Sequence, residues 1–273
     1  MPTLPSEQPS VPQQSHQARA MAESFGVDAE RYDRSRPRYP EAMVQSIVAA
    51  SPGRDVLDVG IGTGIVARQF QAAGCRVLGV EPDERMADFA RRDGTEIEVS
   101  TFETWDPAGR TFDIVVAGQA WHWVDPVVGA AKAAEVLRPG GRLALFWNVG
   151  QPPPDLVDAF AEVYHRLLPD SPVTQGLSAS AVQIYLAGCD KAADGMRESG
   201  AFGDPEQRQF HWEQRYTRDE WLEFSATTGV ATQLPQAVLD EVLADLGAAI
   251  DEVGGSFTAQ YTAVMVTAVR AAT

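Results

Sequence analysis

The feature that most limits the fold is a glycine-bearing turn between a short apolar run and a helical one, VLDVGIGTGIVA at residues 56–67. An apolar run too short for a helix, then three glycines, then helical spacing, reads as strand, turn and helix. Gly60, Gly62 and Gly64 let backbone approach a ligand closely, and the N-terminus of the following helix offers unpaired N–H groups. Asp58 stands at the end of the strand, and Glu81 closes the next strand 23 residues later, in GVEPDERM. An acid at that second position accepts both hydroxyls of a ribose, the geometric logic of dinucleotide sites. The spacing here is G-x-G-x-G, however, and not the G-x-G-x-x-G that seats a pyrophosphate, whose charge Asp58 would also oppose. A ligand with a cationic end, such as an amino acid joined to an adenosine, suits the turn better.

The pattern around the turn alternates. Strands are expected at 55–59, 76–80, 96–99, 112–117 and 142–147, and helices at 65–73, 83–92 and 126–137. Asp125 and Pro126 supply a cap and a first-turn proline, and Pro139, Gly140 and Gly141 are expected to terminate that helix. Strands and helices in this rhythm imply a parallel sheet covered on both faces. Upstream, Pro40 opens a helix whose apolar positions Met43, Val44, Ile47 and Val48 share one side. After Gly150 the rhythm changes: residues 155–200 read as mostly helical, 207–216 as a strand, Thr217 as a helix cap, 235–253 as a helix, and 257–269 as a closing strand.

Composition narrows the function. Against 22 Lys and Arg stand 38 Asp and Glu, a formal charge of −16, and a field of that sign repels nucleic acid and anionic membranes. The one dense basic stretch (Arg31, Arg34, Arg36 and Arg38 with Tyr32 and Tyr39) is ringed by acids. No run approaches the roughly 18–20 apolar residues of a membrane span, and no secretory signal opens the chain, so a cytoplasmic protein without nucleic-acid or membrane partners is expected. Two cysteines, Cys75 and Cys189, and four histidines show no metal-ligand spacing, so neither a disulfide nor a metal is expected. Residues 1–18, rich in Pro, Gln and Ser, read as a disordered tail. The remainder, 19–273, reads as one domain: N-terminal lid and helices at 19–50, ligand-binding core at 51–149, helical insertion at 150–206, and C-terminal elements at 207–273.

In order along the chain, VLDVGIGTG, GVEPDERM, FDIVVAGQAWHWVDP and VLRPGGRL form an ordered set that resembles class I S-adenosylmethionine-dependent methyltransferases. With YDRSRPRYP upstream, the set is similar to the trans-aconitate methyltransferase-like subgroup, which favours a small-molecule acceptor. The resemblance implies a Rossmann-like, doubly wound α/β sheet of seven strands, mostly parallel, whose last strand runs antiparallel, with a helical insertion after strand five. It implies S-adenosylmethionine as cofactor and S-adenosylhomocysteine as product. Gly60, Gly62 and Gly64 would face the methionine and ribose side, Asp58 would help hold that end, and Glu81 would hold the ribose hydroxyls. Pro82 and Asp83 would flank the adenine, with Met86 further along the helix, and Thr101, Phe102 and Glu103 match the segment after strand three that meets the adenine. This sequence departs from the pattern at Phe102, where the family often has a small residue, and near Ser100 and Thr101, where it often has an acid.

Methyl transfer from a sulfonium is an in-line displacement whose donor is already activated, so the protein mainly aligns the partners and excludes water. A base is needed only when the acceptor must lose a proton. His122, just beyond strand four, either takes that proton or positions the acceptor; its alternative is a packed imidazole. Gln119 either touches the cofactor or caps its strand, and Trp123 and Trp147 are either pocket walls or core. Tyr32 and Arg36 form a lid in which Arg36 recognises an acidic acceptor or the cofactor carboxylate, or else a solvated helix entry. His165, Tyr164 and His211 either line the acceptor pocket or, as is expected, pack or face solvent, and Cys75 is expected to be structural. The alternatives to a methyltransferase acting on a small-molecule oxygen are a cofactor-binding protein without catalysis and a nicotinamide-dependent Rossmann enzyme. Oligomeric state is not legible in the sequence.

Overall fold

In the computed structural model the described residues are 25–169 and 181–271, so the expected tail at 1–18 lies outside them. Seven strands form one sheet: β1 Asp55–Val59, β2 Arg76–Glu81, β3 Glu96–Val99, β4 Phe112–Gly118, β5 Leu137–Gln151, β6 Glu206–Thr217 and β7 Ser256–Val269. Their order is β3-β2-β1-β4-β5-β7-β6. β1 to β5 are parallel, and β7 runs antiparallel to both of its neighbours, β5 and β6. This is the Rossmann-like methyltransferase architecture expected from the sequence.

Side chains on successive positions of each strand point to opposite faces, and the two faces are buried by different helices. Val56, Ile114, Val116, Ala144 and Phe146 pack on Met43, Val44, Ile47 and Phe70 from α2 (Glu41–Ala49) and α3 (Ile65–Ala72). Leu57, Val115, Ala117, Leu143 and Leu145 pack on Ala130, Ala133, Cys189 and Ala192 from α5 (Pro126–Val136) and α7 (Ala181–Glu198). Each large apolar side chain so buried contributes about 1.5–3 kcal/mol. Burial on both faces explains the nearly unbroken apolar runs of β1, β4 and β5. α4 (Glu84–Arg91) covers the β2 and β3 side through Ala87 and Ala90. A further core joins α6 (Pro154–Leu167), α8 (Arg218–Ala226) and α9 (Gln236–Glu252) to Tyr216, Phe257 and Tyr261 of the last two strands.

Caps fall where the residues require them. Asp125 accepts from the amides of Val127 and Val128 at 3.0 and 2.9 Å. Thr217 and Glu220 form a reciprocal capping box at the start of α8. One expected boundary moves: Pro139, Gly140 and Gly141 lie inside β5. Gly140 donates to the Arg270 carbonyl and Arg270 to the Gly141 carbonyl, while Arg138 pairs with Asp55 and Asp113. These bonds draw the segment into the sheet as an irregularity in the β4–β5 register.

The strand order reverses between β1 and β4. Open α/β sheets bind ligands at such a switch point, beyond the carboxyl ends of the strands. The N-terminal helix α1 (Ala29–Ser35) lies over that edge, with Asp33 paired to Arg68 of α3 and Arg34 to Glu223 of α8.

Candidate cofactor and acceptor site

The glycine turn is built as its sequence requires. Gly60, Gly62 and Gly64 have φ of +66°, +58° and +87°, the left-handed region that side-chain-bearing residues avoid. Gly60 and Ile61 donate to the Val80 carbonyl at 2.9 and 3.2 Å, joining the ends of β1 and β2. A Cβ on Gly60 would stand 2.6 Å from that of Ala120, so the turn after β4 abuts the glycines; a Cβ on Gly62 would meet nothing within 4 Å. The turn is closed on one side and open on the other.

Glu81 is fixed by two amides: Oε2 accepts from Gly62 at 2.8 Å and Oε1 from Asp83 at 3.0 Å. Burial pushes its pKa up, and those amides pull it back. An ionised carboxylate offers about four acceptor positions, so Glu81 keeps capacity for further donors. Asp58 is different. It is 1% exposed, and neither carboxylate oxygen has a hydrogen-bond partner. Burial, then repulsion from Glu81, raises its pKa well above the usual range; the Ala67 amide opposes this from too loose a position to count as a hydrogen bond. A buried acid without a partner is costly, and a cation beside the glycine turn would relieve it. The residues present therefore fit a nucleoside whose ribose meets Glu81 and whose positively charged amino-acid end lies toward Asp58.

The expected adenine set is spread more widely. Pro82 is exposed at the end of β2, and Met86 is 4% exposed within α4. Thr101 shares a 2.8 Å hydroxyl contact with Thr104. Phe102 is buried with its ring centroid 6.1 Å from that of Trp121, and a Glu103 oxygen accepts from the Asp125 amide at 3.4 Å. Phe102 thus belongs to the core.

On the other wall, Gln119 adopts φ +55°, an unusual value for a residue with a side chain and a frequent mark of functional sites. Its side chain donates to the Asn148 carbonyl at 3.0 Å and its amide to that of Phe146 at 3.0 Å, clamping β4 to β5. His122 follows in a short 3-10 turn, Trp121–Trp123, with its ring 4.5 Å from that of Trp123. Trp147, 4% exposed, donates from Nε1 to His122 Nδ1 at 3.4 Å. His122 opens to solvent, yet the protein around it pushes its pKa down to about 4. Water in an open crevice screens such a shift, so its direction, toward neutral imidazole, carries the argument.

Tyr32 and Arg36 meet at the C-terminal end of α1. The Arg36 guanidinium lies 4.6 Å from the Tyr32 ring, 5.3 Å from Phe224 and 5.8 Å from Phe25. Tyr164 packs beside the α6, α8 and α9 core. His165 and His211 are exposed and bond locally, to Ala161 and Thr262, and Cys75 is a buried free thiol. Among the described residues no group of three His, Cys, Asp or Glu is placed to hold a metal, and no helix is long and apolar enough to cross a membrane.

Several aromatic residues of the last two strands were not singled out by the sequence. Trp212 and Tyr261 are cross-strand partners whose rings stack at 4.6 Å, and the Tyr216 and Tyr261 hydroxyls meet at 2.8 Å. Trp212 donates to Asn148 Oδ1 at 3.4 Å, and Asn148 donates to the Arg38 carbonyl at 3.0 Å. Tyr185, on α7, completes the group. Alternation in QRQFHWEQRY marked a strand but not its partner; only the β6–β7 register brings these rings together.

The fold and the glycine turn are those that the resemblance to class I S-adenosylmethionine-dependent methyltransferases implies. Comparison with known proteins agrees: residues 57–145 match the family model described as "Methyltransferase domain". An uncharacterized methyltransferase of Mycobacterium tuberculosis is 39% identical over 132 residues, 48% of this chain and 54% of that protein. A ubiquinone biosynthesis O-methyltransferase of Hahella chejuensis is 32% identical over 131 residues, 44% of this chain and 55% of that protein. Each of these matches spans about half the length of the relative. A structure described as a type II methyltransferase, from Anaeromyxobacter dehalogenans, superposes with a TM-score of 0.61 at 23% identity, covering 86% of this chain and 97% of that one, which shows the shared fold.

Proposed function

We propose that this protein transfers a methyl group from S-adenosylmethionine to an oxygen of a small molecule. The observation that carries the reading is Asp58: a buried acid with both oxygens unpartnered, beside a glycine turn tied to Glu81. The cofactor, when bound, supplies an activated methyl on a sulfonium. Glu81 would hold the ribose, Asp58 the cationic end, and Gly60, Gly62 and Gly64 the close backbone approach. Pro82, Met86, Thr101, Phe102 and Glu103 would border the base, and Gln119 would fix the inner wall. The proposed division follows: residues 51–149 hold the cofactor, 19–50 form a lid, 150–206 flank the acceptor, and 207–273 complete the sheet, all within a soluble cytoplasmic protein.

His122 selects among oxygen acceptors. Its Nδ1 accepts from Trp147, so the neutral ring carries its proton on Nε2 and offers a donor to the crevice. A donor suits an acceptor that arrives ionised, a carboxylate, which needs no base. A hydroxyl acceptor would require Nδ1 to give up the Trp147 bond. Trp123, Trp147 and Tyr32 would wall the acceptor. Calorimetry with S-adenosylhomocysteine and with nicotinamide dinucleotide tests the cofactor, and label transfer from methyl-labelled cofactor to carboxylic acids and phenols tests the reaction. Binding of the dinucleotide alone would overturn the first part; tight homocysteine-nucleoside binding with no acceptor in any metabolite extract would leave a binding protein.

A further inference from the structure

Among the described residues Arg36 is a cation without an anion. In a chain with 38 acids against 22 basic residues, it has no carboxylate partner among the described residues. Its Nη2 donates to the Thr227 carbonyl at 2.5 Å, which fixes the guanidinium plane, while its Nε is buried with no partner. Three aromatic rings, from Phe25, Tyr32 and Phe224, lie around the half-buried guanidinium. A second unmet donor lies nearby. The paired hydroxyls of Tyr216 and Tyr261 carry two protons and use only one between them. Burial raises the pKa of Tyr185, Tyr216 and Tyr261, and the charge of Arg36 pulls each one back, so all three stand within its electrostatic reach. Tyr39 feels Asp58 and Tyr185 as well as Arg36, and so links this pocket to the glycine turn.

We infer that Arg36 and the Tyr216–Tyr261 pair bind a carboxylate of the methyl acceptor, at a point separate from the oxygen that is methylated. Buried donors left unpaired favour an acceptor anion, and a carboxylate takes charge-assisted bonds from arginine and phenol alike. The separation follows from the chain of contacts. Arg36 meets Phe224 of α8, whose ring lies 6.2 Å from that of Tyr216 on β6, whereas His122 lies beyond Trp212, Asn148 and Trp147. A carboxylate neutralised by arginine is also a poorer nucleophile, so the reacting oxygen belongs at the His122 end. The acceptor class is therefore a small dicarboxylic or hydroxycarboxylic acid. The inference rests on the cofactor reading above, and it places the anion with the acceptor because Thr227, Phe224, Tyr216 and Tyr261 all lie outside the segment matched as the methyltransferase domain.

The test uses full-length protein saturated with S-adenosylhomocysteine and titrated with succinate, glutarate and 4-hydroxybenzoate, each against its amide, and with phenyl phosphate. At least one acid is expected to bind tenfold or more tightly than its amide, and Arg36→Met is expected to erase that preference while S-adenosylhomocysteine affinity stays within twofold. Should Arg36→Met fail to fold, Arg36→Lys carries the test, with the preference reduced at least threefold. Equal binding of acids and amides, or phenyl phosphate preferred over every acid, overturns the inference. So does an Arg36→Met that weakens S-adenosylhomocysteine but not 5′-methylthioadenosine, because the anion is then the cofactor's own carboxylate. Failure of S-adenosylhomocysteine to bind the wild type brings down the cofactor reading itself, and this inference with it.

Discussion

Asp58, Glu81 and His122 divide the electrostatic work of the crevice among three kinds of environment. Glu81 is buried but satisfied by two amides, so removing it should cost the cofactor a charge-assisted contact: Glu81→Ala is expected to weaken S-adenosylhomocysteine by ~1.5–3 kcal/mol by calorimetry, and unchanged affinity would remove the ribose assignment. Asp58 is buried and unsatisfied, and its folded pKa is raised above the ordinary value by burial and by Glu81. The free protein therefore holds a proton there that the unfolded chain releases, and the stability this confers is present below the ordinary carboxylate pKa and is lost as pH rises through the raised one. Asp58→Asn, which keeps the shape without the charge, should melt higher than wild type near pH 8 and no higher below about pH 4. A melting difference independent of pH would mean that the Asp58 pKa is the same folded and unfolded, and a wild type that gains on the variant as pH rises would mean that Asp58 already has a counter-ion. His122, its pKa lowered by desolvation, is neutral well below pH 7, so the methylation rate should stay level from pH 8 down to 6; a fall centred near the ordinary imidazole pKa, about 6.5, would show a base that titrates in water.

At the scale of elements, the glycine turn depends on backbone that a side chain would disturb twice over. Gly60→Ala meets both a left-handed φ, costing roughly 1–2 kcal/mol, and the Ala120 Cβ at 2.6 Å. Cofactor affinity and melting temperature should fall together in this variant, and loss of neither would mean that the turn relaxes freely. This turn was fully legible in the sequence, because its chemistry is local: three glycines, an apolar strand and an acid at a fixed distance state their own geometry. The start of β5 was not. Pro139-Gly140-Gly141 carries every local signal of a stop, yet Arg138 reaches across to Asp113 and Asp55, and the Arg270 amide donates to the Gly141 carbonyl, which holds the segment in the sheet. The same limit hid the aromatic group on the last two strands. Trp212 and Tyr261 are 49 positions apart and become neighbours only through strand register, which no local pattern encodes.

Across the whole molecule, the parallel sheet, the switch point and the antiparallel strand followed from the alternation and the ordered motifs, whereas the latch from α1 to both halves depends on long-range ion pairs with no local signature. The net charge of −16 adds self-repulsion that salt screens, since the Debye length shortens from about 30 Å at 0.01 M to about 8 Å at 0.15 M. Melting temperature should therefore rise over that range, by roughly 2–4 °C for each kcal/mol of relieved repulsion. A fall would show that pairs such as Arg138 with Asp113 outweigh the bulk field. Insertion of β7 between β5 and β6 also bears on biosynthesis. Ten residues of β5, Arg142 to Gln151, have β7 as their outer partner, and about 100 residues must emerge from the ribosome before it arrives, which takes roughly 5–20 s at usual translation rates. A nascent chain spends that interval with a bare ladder of amides and carbonyls, and slow codons between the two strands would prolong its exposure to neighbouring polypeptides.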